Sequence, residues 1–398
     1  MKIAFYNHTS DMSGAEISLL LTAKHLKKAH PILFAPEGPL LQKARSQGIE
    51  VTALSSFRAR MTRNPFMLIG YAMGMLLAGW KLARQLKRSE ADLVHANSIR
   101  AGIMAGLFRW FHGLPVIWHV RDMPPRGFMG QLIRRFAARS AQAVIGISDS
   151  VLYAMEHESL VDKCHLVHNG VELKQADPAE RRENREKVRA ELETSQDAQV
   201  LAIIGQIAPW KRQEDAIEAF STLVREGRNC VLWIVGEAKF RPENERYLAH
   251  LHERVKDLQL HNHVKFTGYR EDVLEICCGA DLLLLCSEDE PFGRVIIEAM
   301  SQGTPVIASR GGGVPEIIEQ GRSGWMYETG HIQELTDRIR QVLDDDRLWR
   351  SLSHNGQQRA ADRFSIQQTA EKVEFIYQQL LNRPGTRAYE HRQAKEMM

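Results

Sequence analysis

Two glutamates, Glu290 and Glu298, stand eight positions apart in EPFGRVIIE, which follows the apolar run ADLLLLC through the loop SEDEPFG. The pattern predicts a strand, a loop and a helix. A carboxylate can accept from both hydroxyls of a ribose diol, and a second one can orient a hexose. Two carboxylates at this spacing can therefore serve two hydroxyl-bearing parts of one extended ligand. Glu290 is expected just before the helix, with Pro291 at its first position, where a missing N–H costs nothing. Gly293 allows a ligand close to the backbone. The unpaired N–H groups at a helix start favour an anion or sugar hydroxyls. Glu298 is expected two turns further on the same helix. The competing reading is a pair of capping and surface glutamates.

Two histidines end apolar runs elsewhere. His119 closes PVIWH ahead of Arg121 and Asp122, and His95 stands in LVHANS. A histidine at a strand end serves either packing or a substrate. Asn97 and Ser98 can bind an acceptor or cap the next helix, capping being the simpler role. Glu16 reads as a stabiliser of a first helical turn. Asp344, Asp345 and Asp346 form an acidic triplet, but in a polar helical region away from these segments. No GxGxxG or GxSxG pattern occurs, so neither a dinucleotide dehydrogenase nor a serine hydrolase has an anchor. The five cysteines form no CxxC pair and no Cys/His metal spacing, and no signal-peptide pattern opens the chain. Reduced packing cysteines in a cytoplasmic protein are expected.

The elements that must position these residues alternate along the chain. Residues 2–7, 31–35, 49–54, 91–96, 115–120 and 141–148 read as strands, with helices such as 14–29 between most of them. Alternation of this kind predicts a parallel sheet covered on both faces, which binds ligands at the carboxyl ends of its strands. After Asn169–Gly170 comes a highly charged connector with an exposed helix expected from about Pro178 to Glu193. Strand-like runs then resume at 200–205, 230–236, 263–268, 280–286 and 304–309. A chain of 398 residues suits two α/β domains, here 1–170 and 171–364, followed by an amphipathic helix at 365–381 and a polar tail.

With 44% hydrophobic and 25% charged residues, the composition is that of a soluble globular protein. The net charge of +3 hides an asymmetry: residues 1–170 hold 21 Lys+Arg against 11 Asp+Glu, and the remainder 31 against 38. A basic first half suits an anionic membrane better than a nucleic acid, since no nucleic-acid-binding module is present. The apolar stretch Phe66–Trp80 has 15 residues, short of the roughly 20 that a spanning helix needs. Arg58, Arg60 and Arg63 precede it and KLARQLKR follows. It is either a buried helix with a solvated basic end or an interfacial helix that touches lipid.

Taken together these segments resemble the retaining glycosyltransferases of family 4. That family has the GT-B fold, two doubly wound, Rossmann-like α/β domains facing across a cleft. Its E-x7-E motif is similar to EPFGRVIIE. The resemblance implies that Glu290 contacts the transferred sugar, that Glu298 holds the nucleotide ribose, and that the backbone of Phe292 and Gly293 lies beside the sugar. GQIAPWKRQEDAIEAF (205–220) resembles the element that supplies basic groups to the diphosphate, with Lys211 at the lysine position. GYREDV (268–273), with Tyr269 and Arg270, resembles the loop beside the nucleobase. NGVE (169–172) resembles the turn opening the second domain, and SRGGGVPEII (309–318) the glycine-rich turn into the next helix. SDMSGAEISL (10–19), with Gly14, resembles the loop that reaches toward the donor phosphates. On the same grounds His119 is expected to contact the sugar, and the last helix, about 365–398, to cross back onto the first domain. The likeness covers nearly the whole chain, most strongly from about 169 to 330.

One departure bears on chemistry. Where the family has an arginine after the glycine, this chain has Gln206, leaving Arg212 or Arg294 to reach in instead. The implied reaction moves a sugar, with retention, from a nucleoside diphosphate to an acceptor hydroxyl, with no metal in the chemical step. The implied acceptor is a lipid-linked or surface glycan at the inner face of the cell membrane. Rival expectations are an epimerase or phosphorylase of the same layout, or a silent subunit that only binds the sugar nucleotide.

Overall fold

The computed structural model describes residues 1–55, 65–173 and 178–382. Arg58, Arg60 and Arg63 and the polar tail from 383 lie outside the described residues. The chain folds as two units, Met1–Gly170 joined by the helix that begins at Ile366, and Val171–Ser365.

Strands of the first unit are β1 (Lys2–Tyr6), β2 (His30–Pro36), β3 (Glu50–Leu54), β4 (Leu93–Ala96), β5 (Val116–Val120), β6 (Ala143–Gly146) and β7 (Cys164–Leu166). Among the described residues they form one seven-stranded parallel sheet in the order β3-β2-β1-β4-β5-β6-β7. The central strands β4, β5 and β6 are buried at every position because helices cover both faces, as parallel sheets require, whereas the edge strand β3 is not. Strand order reverses direction between β1 and β4, so the loops leaving their carboxyl ends diverge and leave a crevice. Among the described strands of this unit, β7 alone escaped the sequence reading. Its three residues, CHL, are half-buried at the sheet edge and carry no strand-length apolar signal.

The helix Ile366–Leu381 docks on this first sheet. Val373, Ile376, Tyr377 and Leu380 join a core that includes Leu19, Leu20 and Ala23. Polar contacts fix its register: Glu374 accepts from the backbone N–H groups of Lys28 (2.6 Å) and Ala29 (3.0 Å), and Lys27 pairs with Glu371.

In the second unit β8 (Gln199–Ile204), β9 (Cys230–Val235), β10 (Val264–Gly268), β11 (Leu282–Leu285), β12 (Val306–Ser309) and β13 (Trp325–Tyr327) make a six-stranded parallel sheet. Its order is β10-β9-β8-β11-β12-β13, with the reversal between β8 and β11. The charged helix expected from about Pro178 forms over Pro178–Glu191 and most of its residues are exposed, but one face is packed onto the second unit. On that face Arg189, in the helix's last turn, is fully buried and donates to the carbonyls of Gly279, Ser195, Gln196 and Ala198 and to the Asp281 carboxylate. A composition count misses this, because one long side chain with every N–H partnered can be buried as well as an apolar one.

The apolar segment of the first unit lies in the helix Pro65–Arg88. Leu82, Ala83 and Leu86 are buried, whereas Met73 and Leu77 are 56% and 57% exposed. No helix among the described residues is long and apolar enough to cross a membrane. Within the acidic triplet, Asp344 pairs with Arg228 and Asp345 caps the helix Asp346–Arg363 by accepting from the N–H groups of Arg347 and Leu348. All five cysteines are unpaired thiols and four of them are buried.

Candidate functional site

In the second unit the loops leaving β8, β11 and β12 meet around Glu290. Past β8 the chain makes a short turn, Pro209–Lys211, which sets Lys211 Nζ 2.6 Å from Glu290 Oε2 and 4.3 Å from the centre of the Trp210 ring. Both side chains are largely buried, at 15% and 10% exposure. The backbone of Glu290 is gripped from the other side. Gly313 N–H donates to Glu290 O at 2.8 Å, and a Cβ on Gly312, whose φ is +54°, would lie 1.9 Å from that same oxygen. The glycine-rich run after β12 therefore exists to let the two loops touch.

The helix carrying Glu298 starts later than expected, at Arg294, and runs to Ser301. Gly293, with φ +95°, adopts a left-handed conformation that separates it from the preceding loop. Glu290 and Pro291 thus belong to the loop, and the two glutamates do not share one helix. Phe292 turns its side chain into the core, edge-on to Phe364 at 5.9 Å between ring centres. Glu298 is buried and accepts from Arg294 Nε at 3.0 Å, one turn back.

In the segment expected to face a diphosphate, and at the two arginines expected to reach in beside it, the polar side chains already have partners within the second unit. Gln206 Nε2 donates to the Lys239 carbonyl at 3.1 Å. Arg212 donates to Asp215 at 2.7 and 2.9 Å and to Glu288 at 3.3 Å. Arg294 is engaged by Glu298. Both guanidinium groups expected to stand in for the missing charge are thus bound to carboxylates. Near the end of β10, Tyr269 is 44% exposed, with the Lys239 ammonium 4.7 Å above its ring. Arg270 is tied to Asp272 and Glu191, whose carboxylates push its pKa up.

A separate constellation occupies the strand ends of the first unit. His119 is 1% exposed. Its Nδ1 lies 3.0 Å from His95 Nε2 and 3.3 Å from Arg121 Nη2. Tyr377 Oη lies 2.7 Å from His95 Nδ1. Arg121 donates to Asn97 Oδ1 and, at 2.8 Å, to Asn169 Oδ1. Asn97 Nδ2 donates to Asn7 Oδ1 at 3.0 Å, and Asn7 Nδ2 to Glu16 Oε1 at 3.0 Å. Burial, with the Arg121 charge, holds both histidines well below the usual imidazole range, so both rings are neutral. His119 Nε2 is buried without a hydrogen-bond partner among the described residues. Such an atom costs on the order of 1–3 kcal/mol.

Of the residues singled out in this unit, Ser98 caps its helix by accepting from Ala101 N–H at 3.1 Å. Gly14 opens the helix Gly14–Lys24, and a Cβ there would meet no atom within 4 Å, so packing does not demand a glycine. Sequence reasoning missed Arg121, Asn7 and Tyr377 as members of the network. The signal was available for the first: HxN and HxR end two apolar strands at period two, which puts His95 with Asn97 and His119 with Arg121 on one face. Tyr377 is 282 positions from its partner and left no such mark.

Two family models match the chain, Glycosyltransferase Family 4 over residues 12–175 and Glycosyl transferases group 1 over residues 184–359. Among curated proteins, N-acetyl-alpha-D-glucosaminyl L-malate synthase of Bacillus anthracis is 26% identical over 329 residues, covering 81% of this chain and 83% of that one. The lipopolysaccharide core biosynthesis glycosyltransferase LpsE of Rhizobium meliloti (strain 1021) is 30% identical over 193 residues, 48% of this chain and 52% of its own. Among solved structures, HepE of Anabaena in complex with UDP-glucose superposes with a TM-score of 0.81 at 25% identity, covering 95% of this chain and all of that one.

Proposed function

Because the chain belongs to the group 1 glycosyltransferases and has their GT-B fold, we propose that it moves a sugar from a nucleoside diphosphate to an acceptor hydroxyl with retention at the anomeric carbon. The Lys211–Glu290 pair at the β8/β11 crevice carries this reading: it sets a cation for a diphosphate 2.6 Å from a carboxylate for sugar hydroxyls. Glu298 would take the ribose diol, and Tyr269 offers an exposed ring to the base. The likeness to HepE, solved with UDP-glucose, supports a nucleotide sugar as donor. Gly14, where packing does not demand a glycine, leaves room for a phosphate at a helix start.

In the chemical step the bond from the anomeric carbon to the diphosphate oxygen breaks. The acceptor oxygen joins that carbon from the same face, and the acceptor proton passes to the departing phosphate oxygen. No enzymic nucleophile enters. Lys211 and nearby backbone N–H groups stabilise the charge that builds on the leaving group, each well-placed donor contributing about 3–4 kcal/mol. The scheme uses no metal, so turnover should survive chelation by EDTA.

Our proposed acceptor is a lipid-linked or surface glycan, met at the inner face of the cell membrane in polysaccharide assembly. The exposed Met73, Leu76 and Leu77, followed by the basic residues Lys81, Arg84, Lys87 and Arg88, support an interfacial contact. The relative LpsE, a lipopolysaccharide core glycosyltransferase by name, supports a glycan acceptor. A second reading, a subunit that binds the donor without turnover, is favoured by one observation: Gln206 is neutral, and Arg212 and Arg294 are held by carboxylates.

A thermal-shift panel of UDP, GDP and ADP, followed by their sugars, tests the donor site before any acceptor is known. Release of nucleoside diphosphate only when acceptor is present then identifies a transferase. Release without acceptor points to an epimerase, sugar 1-phosphate formed from a glycan and inorganic phosphate points to a phosphorylase, normal binding with no turnover points to the silent subunit, and an inverted product contradicts retention.

A further inference from the structure

The ammonium of Lys211 has three walls around it, and each treats its charge differently. A Cβ built on Gly205 would lie 3.8 Å from Lys211 Cε and 3.9 Å from Nζ, so the side chain crosses bare backbone there. Glu290 Oε2 takes one N–H at 2.6 Å, the one hydrogen bond of this ammonium among the described residues. The centre of the Trp210 ring lies 4.3 Å from Nζ. Chain geometry does not impose that last contact. Trp210 and Lys211 are neighbours in the 3-10 turn Pro209–Lys211, where successive side chains diverge by about 120°. The ammonium folds back over the ring of the preceding residue, which costs the lysine rotamer freedom. Nor is the indole used up in packing, since Trp210 is 39% exposed. Its backbone, by contrast, is fixed. The Trp210 carbonyl accepts from the Glu288 N–H at 2.8 Å, and Arg212 donates to the Glu288 carboxylate at 3.3 Å. Both neighbours of Lys211 are thus tied to the loop that carries Glu290.

We infer that Trp210 is a positioning residue for Lys211: its indole face holds the ammonium over Gly205 without neutralising it, which keeps the charge for a diphosphate. A ring face attracts a cation through its quadrupole and takes up no N–H. A second carboxylate would hold the ammonium as firmly but would cancel its charge. An ammonium has three N–H groups. With one of them on Glu290, two stay available to phosphate oxygens. The role weighs more in this chain because Gln206 is neutral and Arg212 and Arg294 are held by carboxylates. Lys211 then carries the charge that this segment presents. The identity of the anion rests on the glycosyl-transfer reading, whereas the contact between ring and ammonium does not.

Nuclear magnetic resonance of the full chain, with its lysines carrying 13C at the ε carbon, tests the contact before any ligand is added. The Lys211 ε-methylene signal, identified by its loss in Lys211→Ala, is expected upfield of the common lysine position under the indole ring current. It should return to that position in Trp210→Leu, whose melting curve confirms folding. Calorimetric titration with the nucleoside diphosphate chosen by thermal shift then reads the function. Trp210→Leu should bind it about fivefold more weakly, with Trp210→Phe and Trp210→Tyr in between, because indole attracts a cation best. In a Lys211→Ala background, Trp210→Leu should change the affinity no further. An unshifted ε-methylene in the unsubstituted chain overturns the inference whatever the ligand. Equal affinities across the Trp210 series also overturn it. So do additive losses in the double variant, which would give the ring a ligand contact of its own. A shifted signal in a chain that binds no nucleoside diphosphate would support the contact of ring and ammonium and overturn the glycosyl-transfer reading that names its anion.

Discussion

Lys211 and Glu290 come from loops 79 positions apart in the chain, and they meet at 2.6 Å where the strand order of the second sheet reverses. Removing one partner leaves the other as a mostly buried, uncompensated charge, whereas removing both does not. Lys211→Met and Glu290→Gln should each lower the melting temperature, and the double substitution should recover much of the loss. A double-mutant cycle by denaturant unfolding should give a coupling of about 1–3 kcal/mol. Additive effects would mean that the pair is not formed in solution.

Gly312 tests the grip on the Glu290 backbone without touching any side chain of the site. A Cβ there would overlap Glu290 O at 1.9 Å and sit at φ +54°. Gly312→Ala should cost about 2 kcal/mol or more of stability. It should also abolish most transfer activity, because Glu290 must move. Unchanged kinetics in this variant would detach the glycine run from the site.

The assignment of Glu298 to a ribose diol makes a specific demand on the ligand. The unsubstituted chain should prefer a ribonucleoside diphosphate over its 2′-deoxy form, and Glu298→Gln should lose about tenfold or more in affinity for the ribose form. In the variant the two forms should bind alike. Calorimetric titration with both nucleotides reads this directly, and a preference that survives the substitution would remove Glu298 from the ribose.

Much of this was legible in the sequence. Eleven of the thirteen described strands announce themselves as apolar runs, and the two that do not, β7 and β13, are three-residue edge strands. The site was legible as residue types, because EPFGRVIIE and the Lys211 segment stand at strand ends. Its partnerships were not. Whether Arg294 faces a phosphate or Glu298 depends on a helix start that Gly293 delays by three residues, and no spacing rule separates the two. The Tyr377–His95 contact likewise depends on where the last helix docks, which is set by packing of Val373, Ile376 and Leu380 rather than by any local pattern.

The buried histidines make stability depend on pH, and the sign can be worked out. Above the ordinary imidazole value of 6.5 the rings are neutral whether folded or unfolded, so they contribute nothing to the pH dependence. Below it the unfolded chain takes up protons that His95 and His119 refuse in the folded state. His8, pushed down to about 4 by burial and Arg100, adds to the same trend. Stability should therefore fall between pH 6.5 and 5, with a slope approaching about 1.4 kcal/mol per pH unit for each such histidine. Urea unfolding across that window checks it, and His119→Phe should make the slope shallower.

Placement of the donor in the second unit stands or falls on one titration, of the nucleotide sugar identified by thermal shift into the unsubstituted chain, Lys211→Ala and Glu290→Gln. Saturable binding is expected for the unsubstituted chain, with affinity reduced about tenfold or more in Lys211→Ala. Glu290→Gln should bind the nucleoside diphosphate nearly as before while losing the added affinity that the sugar provides. Equal binding of the nucleotide sugar by all three proteins would contradict the assignment.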